Sequence, residues 1–154
     1  MKKSFLLLLL FALSTNLIAQ RVKVISGDYN FLKGEKFLKV IFKFNGVTFE
    51  KKKISEGEFI AKRVAEIEEN KGKDEVEKWK EDWEYSKTKT FQDKFLASWN
   101  KNTDIEASVN FKTTKYTLIV EPTWISQGFF GGIGSIPAEM SSKMTFVETE
   151  NPNN

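Results

Sequence analysis

Between Phe37 and Phe44 the apolar residues Leu38, Val40, Phe42 and Phe44 alternate with Lys39, Ile41 and Lys43. That two-residue period, with lysines on the second face, marks a half-buried strand. Asn45-Gly46 follows at once. Both residues tolerate positive φ, so the pair predicts a two-residue hairpin that sets Phe44 opposite Val47 and Phe42 opposite Phe49. The partner strand is expected to be short, because the charge run Lys51-Lys52-Lys53 reads as a solvated end. Upstream, Arg21-Val22-Lys23-Val24-Ile25 also alternates and predicts a short first strand or a leader to one.

The period then changes to that of a helix. Ser55 and Glu58 have capping-box spacing, with Ile54 and Phe59 placed as a hydrophobic staple. Ile60, Val64 and Ile67 continue one apolar stripe. Gly72 is the expected stop, and Asp74 with Glu77 repeats the capping pattern for a second helix. That helix carries Trp79, Trp83, Phe91, Phe95 and Trp99. Trp79 and Trp83 lie about 40° apart on a straight helix, whereas Phe91 to Trp99 fall about 120–200° round from Trp79. The polar stretch Ser86-Lys87-Thr88-Lys89-Thr90 separates the two groups. It predicts a kink or break, or two faces that meet different surfaces.

Ala107 to Phe111 is a weak strand candidate in a polar, turn-like region. In Tyr116–Ile125, Leu118-Ile119-Val120 is apolar on consecutive positions, as in a strand covered on both faces. Pro122 has no N–H to give a ladder, so regular pairing should end or bulge there. A glycine-rich loop from Gly128 to Pro137 follows, then a last strand, Met144 to Glu148. Together these elements predict an α+β domain: a small mixed or antiparallel sheet with two helical segments packed on one face.

The first residues change the reading of charge. Met1-Lys2-Lys3, the apolar run Phe5–Leu13 and Ala19 are the parts of a secretory signal peptide spanning residues 1–19. The apolar run is shorter than the ~20 residues that cross a bilayer, so no membrane span is expected in the mature chain. Residues 20–150 are then one domain and 151–154 a disordered tail. Lys2 and Lys3 leave with the signal, which takes two charges from a net of +3 and leaves +1. A near-neutral mixed surface gives nucleic acid no long-range attraction. The chain has no Cys and no His, which removes disulfides, thiolate sites, Ser–His and Cys–His catalysis, and imidazole ligands.

Other chemistry is thin. Gly128-Phe129-Phe130-Gly131-Gly132-Ile133-Gly134 invites a phosphate-loop reading. It lacks the Lys-Ser/Thr pair, and no helix pattern follows to cradle the phosphate. Ser98-Trp99-Asn100-Lys101 has Ser-x-x-Lys spacing without its companion motifs. Asp104, Glu106, Glu121 and Glu148 lie nearest the predicted sheet ends, but spacing alone does not pair any two of them for hydrolysis. No catalytic residue, metal ligand or cofactor is assigned. The residues singled out are Gly128, Phe129, Phe130, Gly131, Gly132, Ile133 and Gly134, as a loop able to present aromatics to a partner.

From Phe37 to Pro152 the chain resembles a family of small, uncharacterised exported proteins of Gram-negative bacteria. The likeness is carried by Val40-Ile41-Phe42, Ser55 to Ile60, the Trp79/Trp83 and Phe91/Phe95 pairs, Tyr116 to Val120 and, most specifically, Phe146 to Pro152. Its arrangement is also similar, at fold level, to the small α/β domains of envelope lipoproteins that activate wall synthases. The resemblance implies location and architecture rather than activity. Members of that family continue past the Asn-Pro with another strand and a closing helix, whereas this sequence ends at Asn154. The expectation is a last strand left at an edge, or one sheet face partly bare. The expected function is a non-enzymatic, exported binding or adaptor module of the periplasm, or alternatively of the extracellular space, with an envelope protein as partner. The alternatives are a carboxylate-based hydrolase of envelope polysaccharide, and a small-ligand or lipid carrier with Trp79, Trp83 and Trp124 lining a pocket.

Overall fold

A computed structural model describes residues 21–131 and 134–151; residues 1–20, where a signal peptide is expected, Gly132-Ile133 and residues 152–154 lie outside the described residues. The chain divides into two units, one ending at Lys33 and one beginning at Gly34. In the first, the described residues form one 3-10 turn, Asn30–Leu32, whose leading N–H donates to the Asp28 carboxylate at 2.8 Å. Residues 21–25 take no strand, so they are a leader.

The second unit is α+β, with a mixed six-stranded sheet and helices packed against it. Its elements are β1 (Phe37–Phe42), β2 (Thr48–Phe49), β3 (Ile54–Ser55), α1 (Glu56–Lys71), α2 (Lys73–Tyr85), a π-helical turn (Ser86–Thr90) and α3 (Phe91–Asn102). Strands β4 (Glu106–Ser108), β5 (Tyr116–Ser126), β6 (Phe129–Gly131), β7 (Gly134–Ile136) and β8 (Glu139–Glu148) follow. β5 is the centre: β1 and β2 pair with one side of it and β8 with the other, while β4 lies beyond β1 and β3 beyond β2.

Asn45-Gly46 does not make the expected hairpin. β1 and β2 both run parallel to β5, so the chain bulges at Asn45-Gly46 and carries on in the same direction. The cause lies in β5. Val120 accepts from Lys43 N–H at 3.0 Å, and the next donor due along that side of β5 is residue 122, a proline. The ladder stops where its donor is missing. On the β8 side, Pro122 pairs with Ser142 and Trp124 with Ser141, which leaves Thr123 as the extra residue of a β-bulge. The bulge exchanges the faces of β5, and the excursion at Asn45-Gly46 does the same for its partner. Leu38, Val40 and Phe42 inside before the break are thus continued by Val47 and Phe49 after it. The hairpin turn falls instead at Glu50–Lys53, where Glu50 and Lys53 both hold positive φ. Glu50 is fixed from three sides: its N–H donates to Ile125 O at 2.9 Å, its carbonyl accepts from Trp124 Nε1 at 2.7 Å, and Lys62 Nζ meets its carboxylate at 2.7 Å.

α1 starts as its sequence requires. Ser55 Oγ accepts from Glu58 N–H at 3.2 Å, and the Glu58 carboxylate accepts from Ser55 N–H at 2.9 Å. Gly72, with φ of 91°, ends α1 and turns directly into α2. The second capping box does not form: Asp74 already lies inside the first turn, because the left-handed glycine reverses the chain in one residue.

Helix α2 passes into α3 without a break. The π turn, in which Phe91 N–H reaches back five residues to Ser86 O, widens the helix and retards its phase. The two aromatic groups meet different surfaces, the last of the three expected outcomes. Trp79 and Trp83 pack with Val47, Phe49, Phe59 and Ile125, whereas Phe91, Phe95 and Trp99 pack with Leu38, Val40, Leu118 and Val120. At the junction, Glu56 Oε1 accepts from Lys87 Nζ at 2.6 Å and from Trp83 Nε1 at 3.0 Å, which ties the start of α1 to the π turn.

Burial pushes the Glu56 carboxyl up, but the hydrogen bonds from Lys87 and Trp83 and the Lys87 charge outweigh it and hold the carboxyl below its usual range. Burial likewise lowers Lys87, while Glu56 and Glu84 raise it above the usual lysine range. Glu56 is more acidic folded than unfolded, so the unfolded chain takes up its proton first. Its contribution is present above roughly pH 4.3 and is lost as pH falls through the lower folded value. The Lys87 contribution is complete below roughly pH 10.4 and is lost as pH rises through the raised folded value. Glu56→Gln is therefore expected to lose about 1 kcal/mol at neutral pH and less at pH 3. Urea unfolding at the two pH values checks this, and an equal loss at both would contradict the ion-pair origin.

Candidate functional site

The expected loop between Gly128 and Pro137 is a hairpin. β6 and β7 pair antiparallel, Phe129 with Ile136 and Gly131 with Gly134. The last β5–β8 pair is Ser126 with Glu139, and Phe129 with Ile136 lies three residues further along each strand. The register set after the Thr123 bulge therefore carries on from β5 and β8 into β6 and β7, and the four strands make one long antiparallel arm. Between the two strand pairs, pairing lapses at Gln127-Gly128 and Pro137-Ala138, where Pro137 has no donor.

Gly128 explains how the arm passes this neck. A Cβ there would stand 2.4 Å from Ile136 O and 2.6 Å from Ala138 N, both backbone atoms that cannot rotate away. Gly128→Ala is expected to force the strands apart at a cost of about 1–3 kcal/mol to arm closure. Amide hydrogen exchange checks it: faster exchange in residues 129–136, with Tyr116–Val120 unchanged. Gly131 differs. Its missing side chain leaves room for the Phe129 ring, which would lie 2.5 Å from an added Cβ.

Alternation places the apolar residues of the arm on one face. Ile125 packs into the helix-side core and pairs with Met140; Phe129 and Ile136 lie four residues on along each strand, so they share that face. Met144 and Phe146 continue it along β8 in the other direction, and Phe146 reaches the core. Beyond the helices the stripe is uncovered: Phe129 is 64% exposed, Ile136 54%, Met140 45% and Met144 52%. Of the seven residues singled out in the sequence, Gly128, Phe129, Gly131 and Gly134 thus lie at the neck and tip. The backbone of Phe130 is in β6, and Gly132-Ile133 falls outside the described residues. The sequence pattern does not single out Ile136, Met140 and Met144 for this site. Met140, Met144 and Phe146 do sit at even positions against polar Ser141, Lys143 and Thr145, a period-two signal that Ser142 interrupts.

The other candidate residues do not converge. Glu121 pairs with Lys143, Glu148 with Tyr116 and Glu106 with Phe37, each on a different part of the sheet. Trp79 and Trp83, both half-buried, stack on one another at 5.8 Å against the core, while Trp124 is committed to the Glu50 carbonyl. An open groove of about 440 Å³ runs between α1 and α2, lined by Arg63, Glu66, Asn70, Trp79 and Asp82 among others. Arg63 there pairs with Glu66 at 2.6 Å. No helix among the described residues is long and apolar enough to cross a membrane. Comparison with protein-family models, with curated proteins and with solved structures returns no match.

Proposed function

We propose that this chain is an exported cell-envelope protein that works as a binding module, without chemistry of its own, and that it engages a partner protein through the β5–β8 arm. The observation that carries this reading is the uncovered apolar stripe Phe129, Ile136, Met140 and Met144 on one face of a strand pair rooted in the core. Soluble domains seldom leave large apolar side chains contiguous in water unless something covers them. The Phe129 ring at the end of the arm supplies rigid contact area at low entropic cost. Export is supported by the sequence of residues 1–19, and periplasmic residence by the resemblance to small exported proteins.

Affinity capture from the cell envelope tests the reading. The wild-type chain is expected to retain a discrete protein that the Phe129→Ala/Phe130→Ala variant loses by at least tenfold, while Tyr85→Ala, on the exposed end of α2, retains it. Equal recovery by wild type and the double variant, or recovery of nothing by either, would overturn it.

A further inference from the structure

Three strands end the sheet, and two of them are closed. β4 is three residues long, and its outward backbone groups at Ala107 are taken by one side chain. Asn100 Oδ1 accepts from Ala107 N–H at 2.7 Å and Asn100 Nδ2 donates to Ala107 O at 3.1 Å. β3 is two residues long and runs straight into the cap of α1. β8 is different: it has ten residues, pairs only with β5 among the described residues, and is exposed from Glu139 to Met144.

The phase of the ladder shows which groups this edge offers. Thr149 N–H donates to Lys115 O at 2.9 Å, so odd-numbered residues of this strand turn their backbone toward β5. Even-numbered residues turn theirs outward. Met140, Ser142 and Met144 therefore present free N–H and C=O groups along the edge. Unpaired edges of this length template pairing with another strand.

We propose that the β8 edge pairs with the β8 edge of a second copy of this chain, antiparallel, about a two-fold axis through Ser142. In that register Ser142 meets Ser142, and Met140 of each copy meets Met144 of the other. Met140, Ser142 and Met144 each exchange both of their backbone bonds, six in total across the dyad by the antiparallel rule. The small serine at the centre lets the backbones approach, and the methionines on the helix side cover one another. On the opposite face Lys143 stands across from Ser141 and Glu139 from Thr145, so no like charges oppose. The sequence selects against the neighbouring registers. Centring on Lys143 sets two lysines face to face, and centring on Ser141 moves Met144 off the strand to Ala138. A closed two-fold contact of this kind joins the two sheets and leaves no further β8 edge for a third copy.

The absence of native cysteine makes the register directly readable. Non-hydrogen-bonded opposite residues have Cα atoms about 4.5 Å apart, within disulfide reach. The full sequence is expressed, and the purified protein is sedimented at concentrations up to about 0.5 mM. The expected mass is twice that of one chain, and Ser142→Pro, which removes an outward N–H and no donor of the ladder to β5, is expected to weaken association at least tenfold. A mixture of Ser141→Cys and Lys143→Cys chains should give a covalent dimer on mild oxidation, with neither variant doing so alone. A single-chain mass at every concentration would overturn the proposal. So would cross-linking of either variant by itself as readily as the mixture, or an unchanged association constant in folded Ser142→Pro.

Discussion

Leu118→Ala is expected to lower the stability of the folded chain by about 2–5 kcal/mol. Leu118 is fully buried in β5, with Val40 beside it in β1 and Phe146 opposite it in β8. Three strands and α3 close on that position, so neighbouring backbone cannot collapse into the space the mutation leaves. The loss then contains both the transfer of the deleted atoms and an unfilled cavity. Urea unfolding checks it, and a loss below about 1 kcal/mol would mean that β5 is not the packed centre of the sheet.

Phe59→Ala is the second large effect, about 3–5 kcal/mol. Its ring stacks on Phe49 at 4.7 Å and also contacts Trp83 at 5.2 Å and Trp79 at 6.5 Å. Removing it takes the keystone from the cluster that joins α1, α2 and β2. Leu118 and Phe59 belong to different clusters, so the two losses should add within about 0.5 kcal/mol in the double variant. The same unfolding measurements test this. A larger departure from additivity would show that the two clusters pack as a single body across the π turn.

The elements that could be read from the sequence are those whose signal is local and uncontested. The Ser55–Glu58 capping box, the Gly72 stop, the burial of Leu118 and Val120 and the interruption at Pro122 each rest on one or two side chains, and each stands in the fold, whereas Ile119 between the two buried residues is only half-buried. Asn45-Gly46 misleads because a strong turn signal only permits a turn. Here it serves a two-residue excursion within a parallel run, and what decides between the two is a proline more than seventy residues away. The π turn was legible only as a conflict between two aromatic faces. Its resolution depends on where the two clusters lie, which is tertiary information.

The candidate site was half legible. Glycine and phenylalanine between Gly128 and Gly134 point to the tip, but not to a hairpin in register with β5 and β8. The first half of β8, Glu139 to Lys143, carries too little apolar character to stand out as a strand. It is held by its backbone ladder to β5 rather than by buried side chains, and a pattern of hydrophobicity is blind to such a strand. For the same reason the hydrophobic pattern does not mark Met140 and Met144, although they extend the apolar stripe from the core toward Phe129.

Whether the arm is a working surface can be read by placing a photo-activatable residue at position 129 and, separately, at position 85 in cells. Both side chains are open to solvent, Phe129 at 64% and Tyr85 at 61%, so accessibility does not separate them. The expected result is a discrete cross-linked protein product from position 129 that position 85 does not yield. The same products from both positions, or none from position 129, would contradict a binding role for the arm.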